Sequence, residues 1–488
     1  MSKGALLERI EGALANDRLR EAVKRATNNF RSGKARAVLE YDDWEAMRER
    51  ARAVRAHTIA HLDYYLAQLA AKVRENGGYV HFASTGEQAV EIVRKIARHY
   101  GVKSVAKSKS MVSEEIHLND ALKEDGIEVY ETDLGEYIIQ LAGETPSHII
   151  GPALHKTREE IAELFAQLEG RTLSTDTPTL TAVARRQLRN VFLTADMGIT
   201  GCNFAVAETG SVTLVTNEGN GRMVTALPRI VVTLMGMERI VPRLEDLDLL
   251  LTMLTRSATG QRATSYTTIF SGPRRDGEKD GPEAFHLVIV DNQRSTILGT
   301  EFEEALHCIR CGACLNICPV YRQIGGHAYG WVYSGPIGAV LTPLYRGVEE
   351  WGEVALASSL CGACWEACPV KIPLHDMLIG IRRESAERRR THPFERWIFR
   401  GFGWMMHRPG LYRAAQRAGR WLQRPFVRDG RFRWAPAPLS SWLKTRTLPA
   451  LPSKGFRDLW QSELSKQREP RLAVKAAFGE QREEGRGA

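Results

Sequence analysis

No stretch of about 18 or more apolar residues occurs in the 488-residue chain, so no membrane-spanning helix is expected. The start, MSKGALLERIEGAL, carries acidic residues and lacks the apolar core of a secretory signal. The expected compartment is therefore the cytoplasm, where thiols stay reduced. No G-x-G-x-x-G turn follows a strand, and no P-loop occurs. Gly (42) and Pro (20) are near average, which excludes collagen-like and low-complexity architectures. Cysteine is nearly missing before residue 308, where Cys202 stands alone. What is present is ordinary for a globular protein: 43% hydrophobic and 26% charged residues. At about 150 residues per domain, the length suggests roughly three folding units.

The net charge of +9 is uneven. Residues 376–440 hold 15 Arg, no Lys and 5 acidic residues, and the rest of the chain is near neutral. The basic character thus belongs to one segment, and no nucleic acid partner is expected.

Residues 43–74 read as one long helix, with Trp44, Met47, Ala51, Val54, Leu62, Leu66, Leu69 and Val73 mostly three or four apart. Short apolar runs follow at Tyr79–Ala83, Ser104–Lys107, Ile127–Glu131 and His148–Gly151, with helical stretches near 86–99, 113–123 and 134–142. Such alternation predicts βαβ units around a parallel sheet. Beyond residue 200, Asn203–Glu208 and Ser211–Thr216 read as a hairpin turning at Thr209-Gly210. Strands at Ile230–Leu234 and Ala284–Asp291 and a helix at 244–256 complete the pattern. The expected organisation is an N-terminal segment (1–42), an α/β domain (43–299), a cysteine domain (300–375) and an Arg/Trp-rich, proline-punctuated region (376–488). Its last stretch, Lys475 to Ala488, reads as polar and frayed.

Seven of the eight cysteines lie between 308 and 368. Cys308-x2-Cys311-x2-Cys314-x3-Cys318-Pro319 is the ferredoxin run that wraps an iron–sulfur cubane. Gly312 and Ala313 allow a tight backbone around it. Cys361-x2-Cys364-x3-Cys368-Pro369 repeats its last three thiols, and Ser358 stands where the first would be. In such runs the fourth cysteine serves the other cluster. Cluster 1 would then use Cys308, Cys311, Cys314 and Cys368, and cluster 2 would use Cys318, Cys361 and Cys364. Two iron–sulfur clusters are expected, 4Fe-4S in type, the second with only three cysteine ligands. Its open corner is left to Ser358, water, a partner residue or substrate, or to a three-iron cluster. Zinc is the plain alternative, but seven thiolates with two Cys-Pro endings fit a four-thiolate zinc knuckle poorly. Two adjacent clusters suit one-electron relay; their reduction potentials are not legible in sequence.

Two further stretches, Gly198 to Asn220 (GITGCNFAVAETGSVTLVTNEGN) and Ala106 to Ile116 (AKSKSMVSEEI), resemble the LUD domain. With the cysteine motifs and the Arg/Trp tail, residues 20–460 resemble the lactate utilization protein B family. The resemblance implies a fold similar to NagB/RpiA/CoA-transferase-like proteins. It also implies an oxidoreductase subunit that carries electrons as L-lactate is oxidised to pyruvate. The implied partners are a Cys-rich protein, a second LUD protein and an electron acceptor. Rival readings are a subunit of another 2-hydroxy-acid oxidase such as glycolate oxidase, a CoA-transferase-like enzyme with structural clusters, and a scaffold.

Other candidates have bland readings beside them. Glu208 before Gly210 is placed like a CoA-transferase nucleophile, or is a solvated acid at a turn. Asn217 to Arg222 would cradle an anion, or form an ordinary loop. Lys103, Lys107 and Lys109 would hold a carboxylate or phosphate, or form a solvated edge. Cys202 reads as a buried apolar residue. Arg396 to Met406 mixes cations and aromatics, as a docking surface, a peripheral contact at the inner face of the membrane, or plain packing over the cysteine domain.

Overall fold

The computed structural model describes residues 3–388, 393–436, 440, 443 and 446–465. The chain divides into two compact units, 1–389 and 390–488. The stretch Lys475 to Ala488 lies outside the described residues.

The first unit is built on a six-stranded, wholly parallel sheet. Its strands are β1 (Tyr79–Ala83), β2 (Ser104–Lys107), β3 (Glu128–Glu131), β4 (Met197–Thr200), β7 (Ile230–Gly236) and β10 (Ala284–Val290). Their order is β1-β10-β7-β4-β2-β3. β7 and β10 are buried at every residue, as both faces of a parallel sheet require. A smaller mixed sheet, β8-β5-β6-β9, comprises β5 (Phe204–Val206), β6 (Ser211–Thr216), β8 (Ile240–Val241) and β9 (Tyr266–Phe270).

The alternation read from sequence is thus borne out, and so is the hairpin: β5 pairs antiparallel with β6. Gly210 turns it at φ +69°, and a Cβ there would come within 2.7 Å of the Lys72 backbone. Three expectations are corrected. The long helix of 43–74 is two, Trp44–Ala60 and Leu62–Glu75, broken at His61. The helix of 113–123 is also two, Met111–Glu115 and Leu118–Glu124, parted by His117 at φ +54°. Residues 148–151 form no strand. The His148 ring accepts the N–H groups of Ile150 and Gly151, which draws that backbone away from any sheet.

β2 and β4 are neighbours, but the chain leaves β2 toward β3 and leaves β4 toward β7. The loops therefore part at the carboxyl ends of β2 and β4. In open α/β sheets this switch point leaves a crevice where ligands bind.

The cysteine segment is helical and packs on the same unit. Short helices Ala313–Ile317 and Ala363–Ala367 lie beside the longer Gly335–Arg346 and Leu374–Arg388. The N-terminal helix Asp17–Val38 packs against Ala313–Ile317. The second unit contains helices Pro393–Met406 and Pro409–Leu422.

Candidate iron–sulfur centre and adjoining cavity

All seven cysteines of the cluster segment carry free thiols. Cys308, Cys311, Cys314 and Cys368 line one small apolar cavity, closed by Ile149, Ile337 and Ile372. Burial and the neighbouring Cys368 push the Cys311 thiol up to about 12. Burial also raises Cys314, helped by Cys308, Cys311, Cys364 and Cys368. The remaining three form a second group: Cys364 is pushed up to about 12 by burial and by Cys318 and Cys361. Cys361 is the exposed member. Hydrogen bonds from the Ala363 backbone and the Ser359 side chain lower its thiol.

This donor set suits an iron–sulfur group. Thiols crowded in an apolar pocket repel one another as anions until a soft metal takes them. Backbone N–H groups already point at sulfur: Arg310 to Cys308 at 3.4 Å, Tyr321 to Cys318 at 3.5 Å and Ile372 to Cys368 at 3.4 Å. Such bonds help tune a cluster.

Cations from distant segments brace the loops. Arg48 donates to the carbonyls of Cys368 and Trp365, both at 2.9 Å. Fully buried Arg55 reaches the carbonyls of Leu306 and His307. Arg239 donates to the Cys308 carbonyl at 2.9 Å. Lys34 donates to the Ala367 carbonyl; burial lowers its ammonium, while nearby Cys311 and Cys368 pull it back up. None of these four was singled out in the sequence, because they come from helices and a turn remote from the motif.

A second cavity, of about 260 Å³, opens at the carboxyl ends of β2 and β4. Its lining includes Lys109, Cys202, Glu218, Asn220, Arg310 and Tyr333. The structure thus brings Lys109 together with the loop of Asn217–Asn220, two candidates read separately. Lys107 is corrected: it lies buried beneath the strand end, bonded to Glu114 at 2.7 Å and Glu131 at 2.5 Å. Burial would discharge it, but the two carboxylates outweigh that and keep it an ammonium. Lys103 is exposed and lines no part of this cavity. Glu208 accepts the Leu244 N–H at 2.9 Å and so caps the helix Leu244–Ala258. Cys202 borders the cavity with its thiol pushed up to about 12 by burial, a protonated and unreactive group.

The two parts are joined by a buried ionic chain. Arg310, in the first cysteine loop, bonds Glu238 at 3.2 Å. Arg294 bonds Glu238 at 2.7 Å and Glu115 at 2.8 Å. Tyr333 donates to Glu115 at 2.7 Å. Burial would raise Glu238, yet Arg294 and Arg310 hold it down to about 2.

A parallel-sheet α/β domain fused to a doubled ferredoxin-type thiol segment defines an iron–sulfur protein. Family profiles agree: the LUD domain matches residues 66–290, the 4Fe-4S dicluster domain 304–372, and the C-terminal domain of lactate utilisation protein B 383–465. Lactate utilization protein B of Shouchella clausii is 52% identical over 463 residues, spanning 95% of this chain and 98% of its own. Those of Oceanobacillus iheyensis and Geobacillus kaustophilus are each 50% identical, over 460 and 464 residues. They span 94% and 95% of this chain, and 96% and 98% of their own. The chain belongs to the lactate utilization protein B family. A solved DUF162 family protein from Deinococcus radiodurans covers 47% of this chain and 98% of its own at 14% identity, but its TM-score of 0.26 carries no argument.

Proposed function

We propose that the chain is the iron–sulfur electron-transfer subunit of a cytoplasmic complex that oxidises L-lactate to pyruvate, so that lactate serves as a carbon source. Its companions would be a Cys-rich protein and a second LUD protein, with an electron acceptor beyond them. The observation that carries this reading is the partition of the thiols. Cys308, Cys311, Cys314 and Cys368 share one cavity, and Cys318, Cys361 and Cys364 are electrostatic neighbours. This grouping supports the crossed pattern of a two-cluster ferredoxin. The first set would hold cluster 1 and the second cluster 2, both of the 4Fe-4S type. Such clusters pass one electron at a time, which lets a two-electron oxidation proceed in single steps.

The chain's own residues prepare this chemistry. Cys314 and Cys364 lie within electrostatic reach of each other, which supports a side-by-side arrangement of the two sets. Lys34 supplies positive charge beside the first set. Such charge favours the reduced, more negative cluster. The parallel sheet supports kinship with the NagB/RpiA/CoA-transferase-like fold, and the division at 43–299, 300–375 and 376–488 follows the chemistry of each segment. In the Arg/Trp-rich extension, helix Pro393–Met406 exposes Trp397, Phe399, Phe402 and Trp404. That surface suits docking of a companion. Among the described residues, no helix is long and apolar enough to cross a membrane.

The capping role of Glu208 removes the motive for a CoA-transferase reading. The test is anaerobic purification of the complex, iron and sulfide analysis, and electron paramagnetic resonance before and after L-lactate. Reduction of the clusters by lactate is the expected result. A zinc-loaded or colourless chain, or intact clusters that lactate leaves oxidised, overturns the reading.

A further inference from the structure

The two cysteine loops repeat at a displacement of fifty residues, and the repeat extends to residue 358. Each loop follows a 3-10 turn, Glu303–His307 or Gly352–Leu356. Arg310 and Leu360 both take positive φ, +60° and +55°. Gly312 and Gly362 follow at +72° and +79°. The Gly312 carbonyl accepts Leu315 N–H at 3.0 Å, and the Gly362 carbonyl accepts Trp365 N–H at 2.9 Å. Helices Ala313–Ile317 and Ala363–Ala367 then occupy equivalent positions. Within this frame Cys308 and Ser358 are treated alike. Arg310 N–H points at Cys308 Sγ at 3.4 Å, and Leu360 N–H points at Ser358 Oγ at 3.1 Å. The Cys308 carbonyl is held by Arg239 at 2.9 Å and the Ser358 carbonyl by Arg382 at 3.0 Å.

We infer that Ser358 Oγ is the fourth ligand of cluster 2. This inference rests on the two-cluster reading above. Ligation forms one Fe–O bond and releases the hydroxyl proton to solvent, with no change of oxidation state. The Leu360 N–H then bonds the bound oxygen as the Arg310 N–H bonds sulfur in the first loop. An oxygen donor among three thiolates makes one iron site harder than the other three.

The test uses the anaerobically prepared full chain, enriched in ⁵⁷Fe, as wild type, Ser358→Ala, Ser358→Cys and, for control, Ser359→Ala. Mössbauer spectra of the wild type are expected to show one iron site distinct from the rest. Ser358→Cys should abolish that distinct site at unchanged iron content. Ser358→Ala should lose one iron and show the signal of an oxidised three-iron cluster, with cluster 1 undisturbed. Ser359→Ala should match the wild type. If Ser358→Ala fails to fold, the Ser358→Cys spectrum decides alone. Two intact four-iron clusters in Ser358→Ala with wild-type spectra, or a wild type unaltered by Ser358→Cys, overturn the inference while leaving the electron-transfer reading standing.

A separate observation concerns the cavity at the switch point. Asn220 is 2% exposed, lines the cavity, and neither amide atom has a partner. A buried amide left so is destabilising unless a ligand meets it. Arg310 Nη1 is likewise unpartnered. Lys109 donates only to the Ile150 carbonyl among hydrogen bonds in the described residues. Glu218, raised to about 7 by burial and by Asp133, adds a carboxyl able to accept or donate at neutral pH. Arg310 also places this cavity beside cluster 1, two residues from Cys308.

The geometry points to a binding site for a small hydroxy- or oxo-carboxylate: carboxylate toward Lys109 and Arg310, oxygen substituent toward Asn220 and Glu218. Calorimetric titration of the cluster-loaded full chain with L-lactate, pyruvate and inorganic phosphate tests it. One-to-one binding of a carboxylate, weakened at least tenfold by Asn220→Ala with unchanged cluster spectra, is expected. Phosphate binding alone overturns it. So does the lack of carboxylate binding combined with an unchanged KM for L-lactate in the assembled Asn220→Ala complex. Either of those results leaves cluster reduction by lactate, and hence the electron-transfer reading, untouched.

Discussion

Lys34 shows what one side chain contributes. It lies far from the motif in sequence, yet its ammonium sits beside Cys311, Cys368 and Cys314. A positive charge in a dry site stabilises the reduced cluster more than the oxidised one. Lys34→Gln is expected to lower the midpoint potential of one cluster by tens of millivolts; about 59 mV is tenfold for a one-electron couple. A redox titration followed by electron paramagnetic resonance checks this, and an unchanged potential refutes it. Gly312 is constrained on two counts. Its φ is +72°, and a Cβ would sit 3.1 Å from the His148 ring. Gly312→Ala should therefore cost about 1–3 kcal/mol and lower cluster occupancy, measurable as iron per chain after aerobic challenge.

At the scale of elements, the buried chain Glu115–Arg294–Glu238–Arg310 ties the sheet to the first cysteine loop. Arg294 is fully buried, so removing it strands carboxylates in an apolar interior. Arg294→Met is expected to destabilise the first unit by roughly 3–5 kcal/mol. Urea unfolding under anaerobic conditions would register this as a lower midpoint at unchanged slope. In the second unit, helix Pro393–Met406 leaves Trp397 80% and Trp404 56% exposed. If this helix docks a companion, the double change Trp397→Ala/Trp404→Ala should weaken co-purification at least tenfold without altering cluster spectra. Retained co-purification would remove the helix from the interface.

For the whole molecule, acid is the sensitive direction. Burial and the charge of Lys109 hold His148 down to about 3, though its bond to Asn316 opposes them. Burial, with His81 and His99, holds His286 down to about 4. Both rings are neutral when folded but take protons near pH 6.5 when unfolded. His307, held down to about 3 by burial and by Arg55 and Arg52, behaves the same way, so the unfolded chain binds up to three more protons at these rings. Glu136 and Glu218, raised by burial to about 8 and about 7, bind up to two more in the folded chain, which leaves a balance of about one between about pH 6.5 and 4.5. Stability therefore falls as pH drops through that window, by up to about 1.4 kcal/mol per pH unit. Urea midpoints measured from pH 6.5 to 4.5 should decline accordingly, and a flat profile would exclude it.

Much of the fold and of the thiol site is legible in the sequence. The ferredoxin runs could be read because cluster ligands are spaced by local geometry, three thiols within seven residues. The sheet could be read because buried parallel strands leave short apolar runs such as Ile230–Leu234. Residues 148–151 misled, because an apolar run beside a histidine looks like a strand until that ring captures its backbone. The break at His61 was likewise hidden, since both helices keep the same period. Lys107 and Lys109 looked alike, two residues apart; the strand end buries the first against Glu131 and turns the second to a cavity. Sequence alone determined that thiols would be gathered for iron and sulfur, because that requirement is written in adjacent residues. Only tertiary structure decided which cations brace the cysteine loops, that Lys109 faces a cavity while Lys107 does not, and that Asn220 is buried without a partner. Those facts depend on contacts between segments tens to hundreds of residues apart, which no local spacing records.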